Sequence, residues 1–383
     1  AQSLVVHAAW AYDLSGKTAL PPTLVDGTLF AGRADGQFVA LDPASGDKTW
    51  STDAGEGFFR GFGGFGATPT ASDGRIYLVS GAQAGVAGRG FKAVALDAET
   101  GEERWTHSVD ERSFLTLLGV RDGHVLVATN DDLLANEGEE LRSLDPATGD
   151  VQWTAETGDP SKWGIGAGGV YVTAHQGMRA VALEDGTPRW SKQERVESPV
   201  NVAADTVVLS LRRNDEPQLL GLDPTSGDVR WEGPEWRVTS HAISTEDIVY
   251  AGGERMGAYD AATGEEHWSI QGYGFVTAPP IGGRLFARLD GGIHARDPTS
   301  GDFVWGTNAT IDGAIAFGES LVAYVASVDD PAVPPTLVAR SAATGEPAFA
   351  VTLDDVEELT PPVVRDETVF TATRAGRVYA FER

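Results

Sequence analysis

The sequence predicts an all-β fold made of repeated four-stranded units, and three observations support this prediction. Seven of the ten tryptophans follow a glycine by four residues, as Trp105 follows Gly101, and the repeats are spaced by about 42 residues on average. Two runs of alternating apolar and polar residues precede these pairs, as half-buried strands require. No segment has the periodicity of a helix. Four short strands that recur in this way predict a β-propeller of four-stranded antiparallel blades.

The strands of one repeat can be assigned in chain order. A segment of small residues and prolines, such as Leu20-Pro-Pro, suits a crowded innermost strand. Two alternating runs follow, for example 27–32 and 36–41, and Asp-Gly pairs between such runs supply the positive φ of tight hairpins. The stretch Asp42-Pro-Ala-Ser-Gly46 then predicts a turn, and Trp50 opens the outermost strand.

The repeat count predicts eight or nine blades and favours nine. The Gly-paired tryptophans give seven repeats, and Trp10 and Phe349 occupy the equivalent place in two more. The chain begins with an outer strand around Trp10 and ends after a third strand at Phe381, so we expect these two strands to pair and close the ring. The whole chain, 1–383, is expected to form one domain. The repeat at Trp190 is expected to have lost two turn residues.

Composition excludes several classes of protein. The 29 Lys and Arg stand against 56 Asp and Glu, and a formal charge of −27 removes the electrostatic basis of nucleic-acid binding. There is no cysteine, and no apolar stretch is long enough for a transmembrane segment. The acid is spread along a chain with few lysines, which is typical either of a halophilic protein or of a GC-rich genome that favours Arg. In both cases we expect stability to rise with added salt.

The repeat Ala95-Leu-Asp-Ala-Glu-Thr-Gly-Glu-Glu-Arg-Trp105 resembles that of the PQQ-like, quinoprotein-type propellers. This family includes quinoprotein dehydrogenases, the bacterial outer-membrane assembly lipoprotein and kinase-linked sensor propellers, so the resemblance implies the fold and leaves the function open. It also implies that one aromatic residue per repeat packs between neighbouring blades. These residues are Trp10, Trp50, Trp105, Trp153, Trp190, Trp231, Trp268, Trp305 and Phe349.

Two groups of aromatic residues outside the repeat pattern are candidates for binding a ligand or a partner. The first lies in a glycine-rich insertion and comprises Phe58, Phe59, Arg60, Phe62 and Phe65, which either bind an apolar anion or plug the channel of the propeller. The second lies in or just before predicted innermost strands, where the side chains face a partner or pack under a blade. It comprises Trp163, Trp236, Tyr273 and Phe275.

No catalytic or metal-binding set emerges from the sequence. The seven histidines are scattered without the spacing of a metal pair, and the acidic stretch 130–140 lacks the regular pattern of a calcium loop. Glu357 and Glu358 form either a carboxylate pair at the axis or exposed acid.

We therefore expect a non-catalytic binding or scaffold propeller without a cofactor, which engages a protein, a peptide or a surface ligand. The alternative is a dehydrogenase of alcohols or sugars that uses PQQ with calcium. We expect a monomer that lies outside the cytoplasm or at the cell surface. The start Ala1-Gln2-Ser3 lacks the cysteine of a lipid anchor.

Overall fold

The computed structural model describes residues 7–55, 69–81, 91–109, 113–130, 140–157, 162–174, 177–213, 216–233, 242–289, 291–307, 311–326, 335–353 and 358–382. These residues form 34 β-strands and no helix, so the all-β prediction is confirmed. Nothing in these ranges could cross a membrane as a helix.

The strands are short, and most are separated by tight turns. The first half of the chain forms β1 (Ala8–Asp13), β2 (Thr18–Val25), β3 (Thr28–Arg33), β4 (Gln37–Leu41), β5 (Lys48–Asp53), β6 (Thr70–Ser72), β7 (Arg75–Ser80), β8 (Lys92–Asp97), β9 (Glu103–Ser108), β10 (Phe114–Arg121), β11 (His124–Asn130), β12 (Glu140–Leu144), β13 (Val151–Glu156), β14 (Lys162–Gly166), β15 (Gly169–Ala174), β16 (Gly177–Ala182) and β17 (Pro188–Lys192). The second half forms β18 (Asn201–Ala203), β19 (Thr206–Arg213), β20 (Glu216–Leu222), β21 (Val229–Glu232), β22 (Ile243–Ser244), β23 (Ile248–Asp260), β24 (Glu266–Ile281), β25 (Arg284–Leu289), β26 (Gly292–Arg296), β27 (Phe303–Gly306), β28 (Ile311–Phe317), β29 (Leu321–Ala326), β30 (Thr336–Ser341), β31 (Pro347–Thr352), β32 (Val363–Arg365), β33 (Thr368–Ala372) and β34 (Arg377–Glu382).

The chain divides into two compact units. The first comprises Ala1–Gln152, Thr310–Ala342 and Glu346–Arg383, and the second comprises Trp153–Ala309 and Ala343–Gly345. The first contains the four-stranded sheets β1-β34-β33-β32, β2-β3-β4-β5, β6-β7-β8-β9 and β28-β29-β30-β31. The second contains β14-β15-β16-β17, β18-β19-β20-β21 and a six-stranded sheet, β22-β23-β24-β25-β26-β27. In the remaining sheet, β10-β11-β12-β13, the last strand includes the point where the chain passes from one unit to the other.

The two terminal strands pair with each other, as the sequence predicts. Strand β1 runs antiparallel to β34, with Ala8 opposite Phe381 and Asp13 opposite Arg377. One four-stranded sheet of the first unit is thus built from both ends of the chain.

The six-stranded sheet contains two sequence repeats, because two of its strands are long. The first part of β23 pairs with β22, and its second part pairs with the first part of β24. The rest of β24 pairs with β25, and Gly253 pairs with Gly274 where the two repeats meet. Counting sheets therefore gives eight, whereas counting repeats gives nine.

Each repeat indole lies against the turn glycine of the following repeat. A Cβ atom added to Gly149 would lie 2.6 Å from the Trp105 ring, so only glycine admits the indole there, and its φ of 76° also favours glycine. The indole N–H of Trp105 donates to the Pro146 carbonyl at 2.9 Å. The same contact with a glycine joins Trp10 to Gly46, Trp50 to Gly101, Trp153 to Gly186, Trp190 to Gly227, Trp231 to Gly264, Trp268 to Gly301 and Trp305 to Gly345. Phe349 instead packs against Phe381, with ring centroids 6.3 Å apart.

The apolar core lies between neighbouring sheets. In the first unit, Phe30 and Trp50 pack with Ile76 and Val94 of the next sheet. Alternation along the outer strands turns the tryptophan inward and its neighbours toward solvent, as in β9, where Trp105 is buried between exposed residues.

The repeat that ends at Trp190 keeps its full turn, so the predicted loss of two residues was wrong. The amide of Ala182 donates to the carbonyl of Thr187, five residues ahead, just as the amide of Asp97 donates in its own turn. The usual aspartate has been replaced by Ala182, which made the motif unrecognisable although its length is unchanged.

Candidate functional site

A cluster of charged side chains in the second unit forms the candidate site. It consists of Lys162 at the start of β14, Arg195 and Glu197 in the connection before β18, and Arg212 near the end of β19. We call these four residues the cationic cluster.

Backbone pairing sets the positions of these side chains. The amide of Glu197 donates to the Ser210 carbonyl, and the amide of Arg212 donates to the Arg195 carbonyl, both at 2.8 Å. These bonds extend β19 alongside the connection and bring both arginines next to Glu197. On β14, Gly164 lets the strand approach the following repeat, because a Cβ there would lie 2.8 Å from the Val200 carbonyl oxygen.

All three cations contact Glu197. Arg212 donates through Nε to Oε1 of Glu197 at 2.7 Å, and Arg195 Nε lies 3.3 Å from the same oxygen. Lys162 donates through Nζ to the Glu197 backbone carbonyl at 3.0 Å. The side chain of Arg195 is 72% exposed, whereas those of Arg212 and Glu197 are 28% and 20% exposed. Glu197 therefore holds the base of the cluster, and Arg195 presents its charge to solvent.

The electrostatics follow from this arrangement. Burial raises the pKa of Glu197, but the Arg212 hydrogen bond and the neighbouring positive charges outweigh it, so the pKa lies below its usual value. Burial lowers the pKa of Lys162, the Arg195 charge lowers it further, and Glu197 partly offsets both. One carboxylate thus serves three cations, which leaves an excess of positive charge at this place.

Such an excess is unusual for this chain. In the other ion pairs found in the described ranges, such as Arg104 with Asp97 and Arg374 with Glu358, one arginine meets one carboxylate. With nearly two acids for every cation overall, random placement would produce the opposite imbalance. The cluster can attract an anionic group, and bidentate arginine contacts to a carboxylate would orient it.

The sequence-predicted site residues are distributed differently. Phe58, Phe59, Arg60, Phe62, Phe65 and Trp236 lie outside the described residues. Tyr273 is in β24, and only its backbone is described. Phe275 is half-buried in the same strand, opposite Arg288.

Of the predicted residues, Trp163 lies nearest in sequence to the cluster. It is half-buried in β14, opposite Val172. Strand alternation puts it on the other face of β14 from Lys162, so it supports the strand rather than the charged face.

Sequence reasoning missed Lys162, Arg195, Glu197 and Arg212, because no motif links three separate segments. A local signal exists: Lys192 and Arg195, and then Arg212 and Arg213, are cations concentrated within one repeat of an acidic chain.

Two further candidates from the sequence carry no site here. Glu358 pairs with Arg374, and Glu357 lies outside the described ranges, as do 131–139 of the acidic stretch. In the part of the chain that the structure describes, no three His, Asp or Glu residues are grouped as metal ligands would be.

Comparisons with known proteins agree with the fold and with the resemblance. The family model described as outer membrane protein assembly factor BamB matches residues 7–92, 65–162, 137–273 and 289–383. The chain is 24% identical over 293 residues to the outer membrane protein assembly factor BamB of Burkholderia pseudomallei (strain K96243), a match that covers 69% of each protein.

A second relative is an enzyme. The chain is 26% identical over 291 residues to the quinohemoprotein alcohol dehydrogenase of Comamonas testosteroni, and this match covers 64% of the chain but 38% of the enzyme. Among solved structures, BamB from Moraxella catarrhalis superimposes with a TM-score of 0.56 at 16% identity, covering 99% of this chain and 100% of the other. At that identity the match establishes the propeller fold and nothing finer.

Proposed function

The chain belongs to the family of the outer membrane protein assembly factor BamB, and we propose on this premise that it is a non-catalytic platform that binds a polypeptide partner. We assign the contact to the cationic cluster, which would bind acidic side chains of that partner. The observation that carries the proposal is the sharing of one carboxylate, Glu197, by two arginines and a lysine.

The local charge decides recognition even though the whole chain is acidic. Charges separated by more than about 10 Å are largely screened at 0.1 M salt, so the −27 of the chain acts weakly at the cluster. Arg195 is the most exposed member and Arg212 is held by Glu197. An incoming carboxylate would therefore meet one adaptable and one preorganised guanidinium, and hydrogen bonds between charged groups contribute about 1.5 to 3 kcal/mol each.

Photo-crosslinking in the cells that make the protein tests this assignment. A benzophenone amino acid is placed at Gln193, which is exposed beside the cluster, and in a matched control at Glu103, which is exposed in another repeat. We expect a polypeptide to be captured from Gln193 and not from Glu103, and the yield to fall at least tenfold when Arg195→Glu and Arg212→Glu are added. Equal capture from both positions, or a yield that the charge reversals do not change, would overturn the proposal.

The relative that is an alcohol dehydrogenase keeps a second function open for testing. A quinone cofactor with calcium would need a cluster of oxygen ligands, and the described residues offer no group of three or more acidic or histidine side chains for it. We derive no catalytic step from them. Addition of PQQ and CaCl₂, followed by absorbance and dye-linked alcohol oxidation, distinguishes the two functions, because turnover would contradict the non-catalytic proposal.

We also propose that the protein works outside the cytoplasm, as a monomer and without a cofactor. The location follows from the relatives that are named outer membrane assembly factors. Fractionation of the producing cells and light scattering of the purified chain test these two points separately.

A further inference from the structure

The repeat that ends at Trp190 has an arginine whose usual acidic partner is missing. In two other repeats the arginine just before the tryptophan pairs with the turn aspartate seven residues earlier. These pairs are Arg104 with Asp97 at 2.6 Å and Arg230 with Asp223 at 2.7 Å. In the repeat of Trp190 the corresponding residues are Arg189 and Ala182. The arginine has been kept and the carboxylate has been lost.

Arg189 has only carbonyl groups as partners. Its Nη2 donates to the Gly168 carbonyl at 2.7 Å, and its Nη1 donates to the carbonyls of Ala167 at 3.2 Å and Pro224 at 3.4 Å. Within the described ranges it forms no ion pair with a carboxylate. The carboxylate of Asp185 is held instead by Thr187, which is the main cause of its lowered pKa, and the Arg189 charge is the weakest of the causes. Carbonyl dipoles satisfy the donors, but they do not neutralise a full charge.

A cavity of about 310 Å³ adjoins this arginine. Its lining includes Arg189, Trp190, Pro188, Ser191, Arg179 and Glu156. Trp190 is half-buried, whereas the equivalent Trp231 is 7% exposed, so the ring of Trp190 is partly accessible. The cavity therefore combines an aromatic surface with two guanidinium groups and one carboxylate. Its size is at the lower end of the range for small-ligand sites, about 300 to 1,000 Å³.

We propose that this cavity binds a small organic carboxylate with an apolar group. The carboxylate pairs with Arg189 in place of the aspartate that the other repeats supply. The apolar group packs on Trp190 and Pro188, which line the same cavity. The cationic cluster shares none of these residues, so this site does not depend on the proposed function.

Calorimetry with phenylacetate as the probe tests the site in the full chain. We expect saturable binding of one phenylacetate per chain and at least tenfold weaker binding of the neutral phenylacetamide. Acetyl-glycyl-phenylalanine, compared with its C-terminal amide, covers the case in which the carboxylate comes from a peptide end. Binding of either acid with discrimination against its amide supports the site, and equal binding of acid and amide, or no binding of either acid, overturns it.

Three variants locate the binding. Ala182→Asp restores the internal partner of Arg189, and Arg189→Gln removes the charge. Each is expected to weaken binding at least tenfold, and circular dichroism checks that each is folded. The matched control is Arg230→Gln, the same change in a repeat that keeps its aspartate, and it should leave binding unchanged. Undiminished affinity in folded Ala182→Asp would overturn the assignment.

Discussion

The stretch from Ala182 to Arg212 and the last repeat share a backbone arrangement but differ in charge. The amide of Arg212 donates to the Arg195 carbonyl, and in the last repeat the amide of Arg374 donates to the Glu358 carbonyl in the same way. Glu358 and Arg374 form an acid–base pair there. At the matching positions near the middle of the chain both side chains are arginines, and they share Glu197.

The turn at Ala182 shows the same divergence. Its backbone hydrogen bonds match those of the turn at Asp97, yet it lacks the acid. Backbone bonds and the glycine that receives an indole hold such a turn, so its charged side chains can change without loss of the fold. The contrast suggests that one region of this protein has been altered to leave cations available, while the other repeats neutralise theirs.

The largest effect is expected from the tryptophans. Trp231→Ala should lower the free energy of unfolding by about 3 to 5 kcal/mol, because it removes a buried ring. Trp190→Ala should cost about half as much, since Trp190 is half-buried and borders a cavity. Urea titrations followed by circular dichroism measure both. A loss below about 1 kcal/mol for Trp231→Ala would show that this ring does not hold neighbouring repeats together.

Removal of the shared acid should matter more than removal of the paired one. Glu197→Gln leaves three cations without a carboxylate, and we expect a loss of about 1 to 2 kcal/mol in the free energy of unfolding. Glu358→Gln breaks an exposed pair and should cost less than about 1 kcal/mol. The same urea titrations compare the two variants, and equal losses would mean that the cluster is not electrostatically distinct.

Low pH should distinguish the turns that keep their aspartate. The pKa of Asp223 is lowered to about 2 by backbone N–H groups of Ser226 and Thr225 and by Arg230. A folded pKa below the usual value means that the ionised group stabilises the fold above about pH 4, and that this contribution is lost as the pH falls toward about 2. Asp223→Asn should flatten the decline of the melting temperature in this window by a small amount, since the group is largely exposed. An unchanged decline would contradict the assigned stabilisation.

Salt should have a general and smaller effect per residue. The charge of −27 is spread along the chain, so screening by NaCl should reduce repulsion and raise the melting temperature. Arg195→Glu adds to the negative charge of the whole chain but relieves repulsion within the cationic cluster, so we expect it to change the melting temperature at low salt little. Scanning calorimetry from low to high NaCl checks both expectations. A melting temperature that falls with salt would contradict the first.

Much of the fold could be read from neighbouring residues. Strand alternation, Asp-Gly hairpins and the glycine four residues before each tryptophan are local patterns, and they predicted the all-β architecture and the pairing of β1 with β34. The turn at Ala182 was misjudged because the prediction relied on its aspartate, whereas backbone hydrogen bonds maintain the turn length.

The candidate sites depended on contacts between distant segments. Arg195 and Arg212 are separated by a strand, and Lys162 belongs to another repeat, so their common contact with Glu197 appears only after the sheets are packed. Likewise, Arg189 is recognisable as an arginine in the primary structure, but its lack of a carboxylate partner depends on which groups surround it in three dimensions. Periodic local interactions thus specify the repeat, while the balance of charge at a given place is a property of the assembled fold.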